Sequence, residues 1–238
     1  MALNKKNQIT AILITDQLKK QHPLTWCDKV ITIKPSDNDI ADRNLALKQA
    51  VTRWVIFLKD RETVSQSLIR EIKNFVNSAD RQGYTGGQLV IKKVFAKKIL
   101  NHGTWTPKKE IRLGRRVGKW VENRGQASWQ FPGQKIVFFH PLIDKPYEGL
   151  TQMLVKINSI TTKEAQKKHY NKQTASLLTV IFSPIATFKK VFFLKLGFLD
   201  GLAGFNLAVL TSFQAFLEKS KLWLLNQQEK NKEVMVDN

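Results

Sequence analysis

Acidic residues are what this sequence most conspicuously lacks. Its 238 residues carry 39 lysines and arginines against 19 aspartates and glutamates, a formal charge of +20. A surface so charged attracts polyanions: nucleic acid, anionic lipid headgroups or nucleotide phosphates. Charge alone does not choose among them. Cysteine is scarcer still. Cys27 stands alone, which excludes an intramolecular disulfide and a cysteine-rich zinc site and suits a reducing compartment, the cytosol or its membrane face. The start of the chain has no apolar leader followed by a small-residue cleavage site, so no secretion signal is predicted. No uninterrupted apolar run reaches the roughly 20 residues of a transmembrane helix. No internal repeat or low-complexity tract stands out. Trp120, Trp129 and Phe131 near Arg115, Arg116 and Arg124 could stack on bases, but no recognised nucleic-acid motif accompanies them, which makes nucleic acid the weakest partner.

The length suffices for one substantial core with an appendage. Ile9–Thr15 and Lys29–Ile33 are β-branched runs that predict two strands, joined by a polar crossover ending near Pro23. Ile40–Ala50 has a loose helical spacing, and Arg53–Lys59 is the strongest buried-strand signal. Ser65 is placed to cap a helix that buries Leu68, Ile69, Ile72, Phe75 and Val76 and leaves Glu71 and Lys73 outside. Gly83, Gly86 and Gly87 predict a loop, Gln88–Val94 a strand and Phe95–Leu100 a short helix. Turns and short strands follow up to Pro146. Beyond it, Leu150, Met153, Leu154 and Ile157 share a helix face, and a lysine-rich hinge (Lys163, Lys167, Lys168, Lys172) precedes an apolar tail. The tail's apolar stretches are broken by Pro184 and by Lys189, Lys190 and Lys195. Lysines among aromatic residues suit the headgroup region of a bilayer, whereas the apolar stretches alone would also permit a buried helical layer. Residues Gln228 to Asn238 are polar and expected to fray.

Four segments carry a resemblance. Asp42-Arg43-Asn44-Leu45-Ala46 precedes Arg53-Trp54-Val55-Ile56-Phe57-Leu58; His102-Gly103-Thr104-Trp105-Thr106-Pro107 is followed by Arg112-Leu113; and the tail reads Phe192-Phe193-Leu194-Lys195-Leu196-Gly197-Phe198-Leu199-Asp200-Gly201, then Gly204-Phe205 and Lys221-Leu222-Trp223. In this order and spacing they resemble the family 2 glycosyltransferases, in particular the lipopolysaccharide core glucosyltransferase-like branch. The resemblance implies a shortened, Rossmann-like GT-A α/β domain over residues 1–148 and a helical membrane-proximal extension over 149–238. It also implies a nucleotide sugar bound at the carboxyl ends of the strands, a divalent cation, Mg or Mn, held by carboxylates, and another carboxylate as base. The donor-site positions fall on Lys34, Asp39, Arg43, Lys59, Arg61 and Glu62, and the acceptor-side ones on His102, Trp105, Lys108 and Arg112.

The acids of that pattern are largely replaced. The first donor-site aspartate is Lys34. The Asp-x-Asp-Glu motif reads Lys59-Asp60-Arg61-Glu62, and a Pro-Asp step reads Pro107-Lys108. A late His-Glu pair falls on Gln126-Ala127, a histidine before the last amphipathic helix falls on Asp144, and a helix and strand before Asp42 are missing. An ammonium or guanidinium offers no lone pair to a metal, so no metal, no cofactor and no assigned catalytic residue are expected. Two functions follow. One is a non-catalytic paralogue, a scaffold at the cytoplasmic face of the membrane, peripheral or monotopic, that binds a glycolipid or a partner glycosyltransferase. The other is a metal-independent glycosyltransferase in which Lys34, Lys59 and Arg61 neutralise the diphosphate. A basic nucleic-acid-binding protein is a minor third. Simpler readings stand beside these. Lys59 and Arg61 suit solvated strand-end charges, Trp105 a packing anchor, and Lys108, Lys109, Arg112, Arg115 and Arg116 a solvated basic face. His140 and His169 suggest no site.

Overall fold

A computed structural model describes residues 9–15, 24–34, 36, 38–79, 82–123 and 126–236. The polar crossover before Pro23, Pro23 itself and Arg124 lie outside these. The chain is mixed α/β and divides into two units: residues up to Lys92 with Lys108–Lys145, and Lys93–Pro107 with the chain from Pro146 onward. The segment Lys93–Pro107 thus groups with the helical part of the chain.

In the first unit β1 (Ile9–Ile14) is buried at every residue. It runs parallel to β2 (Lys29–Ile33), while α1 (Asp39–Gln49) leads into β3 (Trp54–Lys59), which is parallel to β1 on its other side. Continuous apolar strands of this kind arise when both sheet faces are covered. One face packs Ile12, Ile14, Val55 and Phe57 with Ala46 and Leu47 of α1. After the two-residue β4 (Glu62–Thr63), α2 (Gln66–Ser78) covers the other face, packing Leu68, Ile72, Phe75 and Val76 on Trp54, Ile56 and Leu58. Ser65 caps α2 as its sequence predicts, its hydroxyl accepting from the Leu68 N–H at 3.1 Å.

Next come β5 (Tyr84–Phe95), β6 (Lys98–Leu100), β7 (Lys108–Arg115), β8 (Lys119–Asn123), β9 (Gln126–Gln130), β10 (Gln134–Val137) and β11 (Leu142–Asp144). The mixed sheet runs β2-β1-β3-β7-β5-β11-β4, with β10 against β5; β8 and β9 form a separate hairpin. Gly86 and Gly87 lie inside β5, not in a loop. A Cβ on Gly86 would sit 2.2 Å from the Phe131 ring, and one on Gly87 2.1 Å from the Phe138 ring. These glycines let two aromatic rings lie on the strand, so turn chemistry is not their reason. The short helix expected over Phe95–Leu100 is a hairpin: Phe95 pairs with Lys98 around Ala96 and Lys97, whose φ angles are 48° and 64°. Two consecutive positive φ angles mark a primed turn, which usually advertises itself by Gly or Asn.

The second unit is mostly helical. α3 (Leu150–Tyr170) runs unbroken through Lys163, Lys167 and Lys168, so the lysine-rich hinge is helix up to Tyr170 and only Lys172, with φ 56°, belongs to the turn that follows. Met153 and Ile157 are buried against α5 (Gly201–Val236), while Leu150 and Leu154 are exposed. α5 continues through Gln228 to Val236, and Asp237 and Asn238 lie outside the described residues. Between them α4 (Leu177–Lys189) is extended by a π-type turn over Lys190–Leu194. Together these make one helix, Leu177–Leu194, that is long and apolar enough to cross a membrane and is only 6% buried. Counting uninterrupted apolar residues missed it, because Lys189 and Lys190 sit near its end. Within this chain it is not a buried helical layer.

Candidate functional site

Parallel pairing aligns Ile14 of β1 with Ile33 of β2 and Lys59 of β3. The carboxyl ends of these strands therefore lie side by side, with the start of antiparallel β7 next to them. There a cleft of about 590 Å³ opens, bounded by α1, the end of β3, the start of β7 and the β8–β9 hairpin. Its lining brings together Asp39, Arg43, Lys59, Lys108 and Arg112 from the sequence-based set, and adds Lys109, Glu110 and Trp120.

Each wall follows from local sequence. Arg43 and Asn44 sit on α1, where Asn44 exchanges two hydrogen bonds with the Trp120 backbone (2.9 and 2.8 Å) and fixes β8 against the helix. Arg43 donates to Asp39, one helical turn earlier, at 2.9 Å, and its guanidinium carbon lies 4.4 Å from the centre of the Trp120 ring. Trp120 stacks on Trp129 with centroids 5.9 Å apart, and the Phe57 edge meets both. These tryptophans are 5% and 2% exposed. They form a floor, so the stacking platform considered for nucleic acid is closed.

The described carboxylates around this mouth are engaged by protein donors. Thr15 donates its hydroxyl to Asp60 (2.7 Å). Glu62 is 0% exposed and accepts from the Lys59 backbone N–H (2.8 Å) and from Arg112 Nη2 (2.9 Å). Arg112 Nε also donates to Glu110 (3.0 Å). Burial raises the Glu62 carboxyl above its ordinary value, against the pull of Arg112 and the Lys59 N–H. Arg61 donates to Asp144 at 3.1 Å. The resemblance would place an aspartate and a histidine at these two positions; here the cation and the anion have changed places and touch each other.

Neither Lys34, exposed beyond β2, nor Arg61 lines the cleft, so of the proposed phosphate clamp only Lys59 does. Lys59 is half-buried. Its ammonium is depressed below the ordinary lysine range by burial and by Arg112, with Glu62 and Glu110 pulling the other way. Its Nζ makes no hydrogen bond or ion pair among the described residues. The fit to a divalent cation is poor: the positions nearest the strand ends present an ammonium and a guanidinium, and the oxygens beside them already accept from Thr15, Lys59, Arg61 and Arg112. Among the described residues no group of three His, Cys, Asp or Glu side chains is gathered.

His102 and Trp105 belong to the second unit. There Asp200, 3% exposed, accepts from the Asn101 N–H (3.1 Å), the His102 N–H (2.8 Å) and His102 Nδ1 (3.1 Å). Burial would raise this carboxyl, but these donors bring it below its ordinary value. Trp105 stacks on Tyr147 with centroids 6.1 Å apart and meets the Phe95 edge, so it packs as an anchor. Of the two histidines that suggested no site, His140 lies 2.8 Å from Glu71, which also accepts the Phe139 and His140 N–H groups. His169 contacts Asn226. Sequence reasoning missed Asp200 as a clamp, although the Leu-Asp-Gly step in the recognised tail segment was its signal.

A scan of the sequence against protein-family models finds no match, and a search among curated proteins finds none. What fold and site define directly is a mixed α/β unit with a cationic cleft at parallel strand ends, and a helical unit bearing an exposed apolar helix.

Proposed function

We propose that this chain is a membrane-associated, glycosyltransferase-like protein of cell-envelope glycan and lipopolysaccharide assembly that lacks metal-dependent sugar transfer. It acts as a non-catalytic paralogue beside an active glycosyltransferase or a glycolipid. Its fold in this reading is a shortened GT-A domain, a proposal supported by the parallel β2-β1-β3 order with the cleft at its carboxyl ends. The observation that carries the reading is the Arg61–Asp144 pair beside the Glu62–Arg112 pair. At position 61, where the resemblance implies a carboxylate for the metal, a guanidinium is instead held by Asp144, and the neighbouring acid Glu62 is held by Arg112.

The test is a transfer and hydrolysis assay of the purified full chain with sugar nucleotides, with manganese or with chelator. The reading expects neither transfer nor manganese binding; chelator-sensitive transfer sinks it. Transfer that persists in chelator would instead select the metal-independent transferase, which the half-buried Lys59, its ammonium without a hydrogen bond or ion pair among the described residues, favours.

Attachment is to the cytoplasmic face of an anionic membrane, in the headgroup plane. Leu178, Ile181, Phe182 and Ile185 are exposed along α4, and Leu202, Phe205, Val209 and Phe213 form an exposed stripe on α5, with Lys189, Lys190 and Lys195 close to the turn. Deleting the tail would also uncover the buried face of α3, so substitution is the cleaner test. Leu178→Glu with Phe182→Glu, both at exposed positions, is expected to move the protein from the membrane to the soluble fraction. Retention on the membrane refutes the attachment.

A further inference from the structure

We propose that the cleft of the first unit is a metal-free oxyanion site that takes a phosphorylated ligand by its phosphoryl oxygens and does not read a nucleobase. The lining is rich in donors. Lys59 presents an ammonium with no partner among the described residues, and Lys108 and Lys109 stand exposed at the rim. Arg43 and Arg112 are each braced by a carboxylate, Asp39 and Glu62, which fixes the direction of the guanidinium N–H groups before any ligand arrives. Phosphoryl groups offer several oxygens at once and match an array of charged donors.

The exclusion of a base rests on the same residues. Trp120 and Trp129 are the aromatic side chains of the lining. One face of Trp120 is stacked on Trp129 and a ring face also receives Arg43, while both rings are almost wholly buried. No open aromatic face is left for a purine or pyrimidine, whose stacking on such a face is the sequence-tolerant way to hold a base. A volume of about 590 Å³ accommodates a phosphorylated sugar or the head of a lipid-linked diphosphate.

The inference shares its cleft with the proposed function and rests on that reading only in taking the cleft as the ligand site. Isothermal titration of the full chain in chelator, with inorganic pyrophosphate, glucose 1-phosphate, farnesyl diphosphate and UDP, tests it. Pyrophosphate should bind, and UDP should bind no more than about threefold tighter. The tighter of glucose 1-phosphate and farnesyl diphosphate then names a soluble or a lipid-linked source. Lys59→Ala should weaken pyrophosphate about tenfold or more, with Lys59→Arg retaining most of the affinity, as expected for a charge-assisted contact. Because Lys59 is half-buried, the exposed pair Lys108→Ala with Lys109→Ala serves as the second variant, and should weaken binding several-fold without altering thermal unfolding. The inference is overturned if no anion binds in chelator, if binding needs manganese, if UDP binds more than about tenfold tighter than pyrophosphate, or if both sets of variants bind as the parent does. Failure to bind any anion would leave the non-catalytic reading standing; chelator-sensitive transfer would not.

Discussion

Two buried carboxylates, one taken from each unit, are held in opposite ways. Glu62, in the first unit, faces an arginine and one backbone N–H; Asp200, in the second, collects two backbone N–H groups and a histidine ring. Burial penalises both charges, yet Glu62 is pushed above its ordinary value and Asp200 falls below it. Desolvation is the largest influence on both; Glu62 lies deeper, so there it outweighs the hydrogen bonds, whereas at Asp200 the hydrogen bonds prevail. The first arrangement closes off an acid that a metal could have used. The second uses an acid to fasten a loop to a helical turn.

The largest expected effect breaks the first arrangement. Arg112→Leu alone strands the buried Glu62 charge and should cost about 3–5 kcal/mol, read from urea unfolding; Glu62→Leu, which leaves Arg112 its contact with Glu110, should cost less, and the double variant recovers most of the larger loss because both charges leave together. Two additive losses would mean that the pair is not coupled as drawn. Asp200→Ala comes next, at about 2–3 kcal/mol, because several N–H donors lose their acceptor in a buried place. The two sites also differ in sign with pH. A raised carboxyl such as Glu62 contributes stability that is present below its unfolded value and lost as pH rises through its folded one. A lowered one such as Asp200 contributes stability that is present above its unfolded value and lost as pH falls through its folded one. Replacing Asp200 should therefore flatten the acid limb of the stability curve, and Glu62→Gln should remove a decline above the ordinary carboxylate range. An unchanged acid limb in the Asp200 variant would break the contrast.

What the sequence made legible follows from how local each signal is. Ser65 and the spacing of Leu68, Ile69, Ile72, Phe75 and Val76 define α2 without reference to the rest of the chain, and the apolar run of β3 is equally self-contained. Gly86 and Gly87 were misread because their reason lies across the sheet, in Phe131 and Phe138, more than 40 residues on. The Ala96–Lys97 turn carries neither Gly nor Asn to announce its positive φ angles. At the site, the family pattern led to Asp39, Arg43, Lys59, Lys108 and Arg112, which the cleft brings together, but not to the partners that occupy the carboxylates. Those partners, Thr15 for Asp60 and Arg61 for Asp144, are 45 and 83 residues away, beyond any local window. The glycine reading is itself testable. Gly86→Ala should cost about 2 kcal/mol by overpacking Phe131, and Phe131→Leu in the same chain should recover part of it.

The smallest effects separate the units once more. Ser65 caps α2, which is woven into the core, and Ser176 caps α4 through a reciprocal pair with Thr179, on a helix most of whose residues are exposed or half-buried. Either serine satisfies N–H groups that would otherwise be orphaned, a contribution of about 1 kcal/mol. Loss of a cap spreads only as far as the cooperative unit that contains it. Ser65→Ala is therefore expected to lower the global unfolding free energy by about 1 kcal/mol. Ser176→Ala should leave the urea midpoint where it was and instead speed amide hydrogen exchange in the first turns of α4, at Val180 and just beyond. If Ser176→Ala moved the midpoint as much as Ser65→Ala, α4 would have to share the cooperative unit of a core, which its exposed surface gives it little means to do.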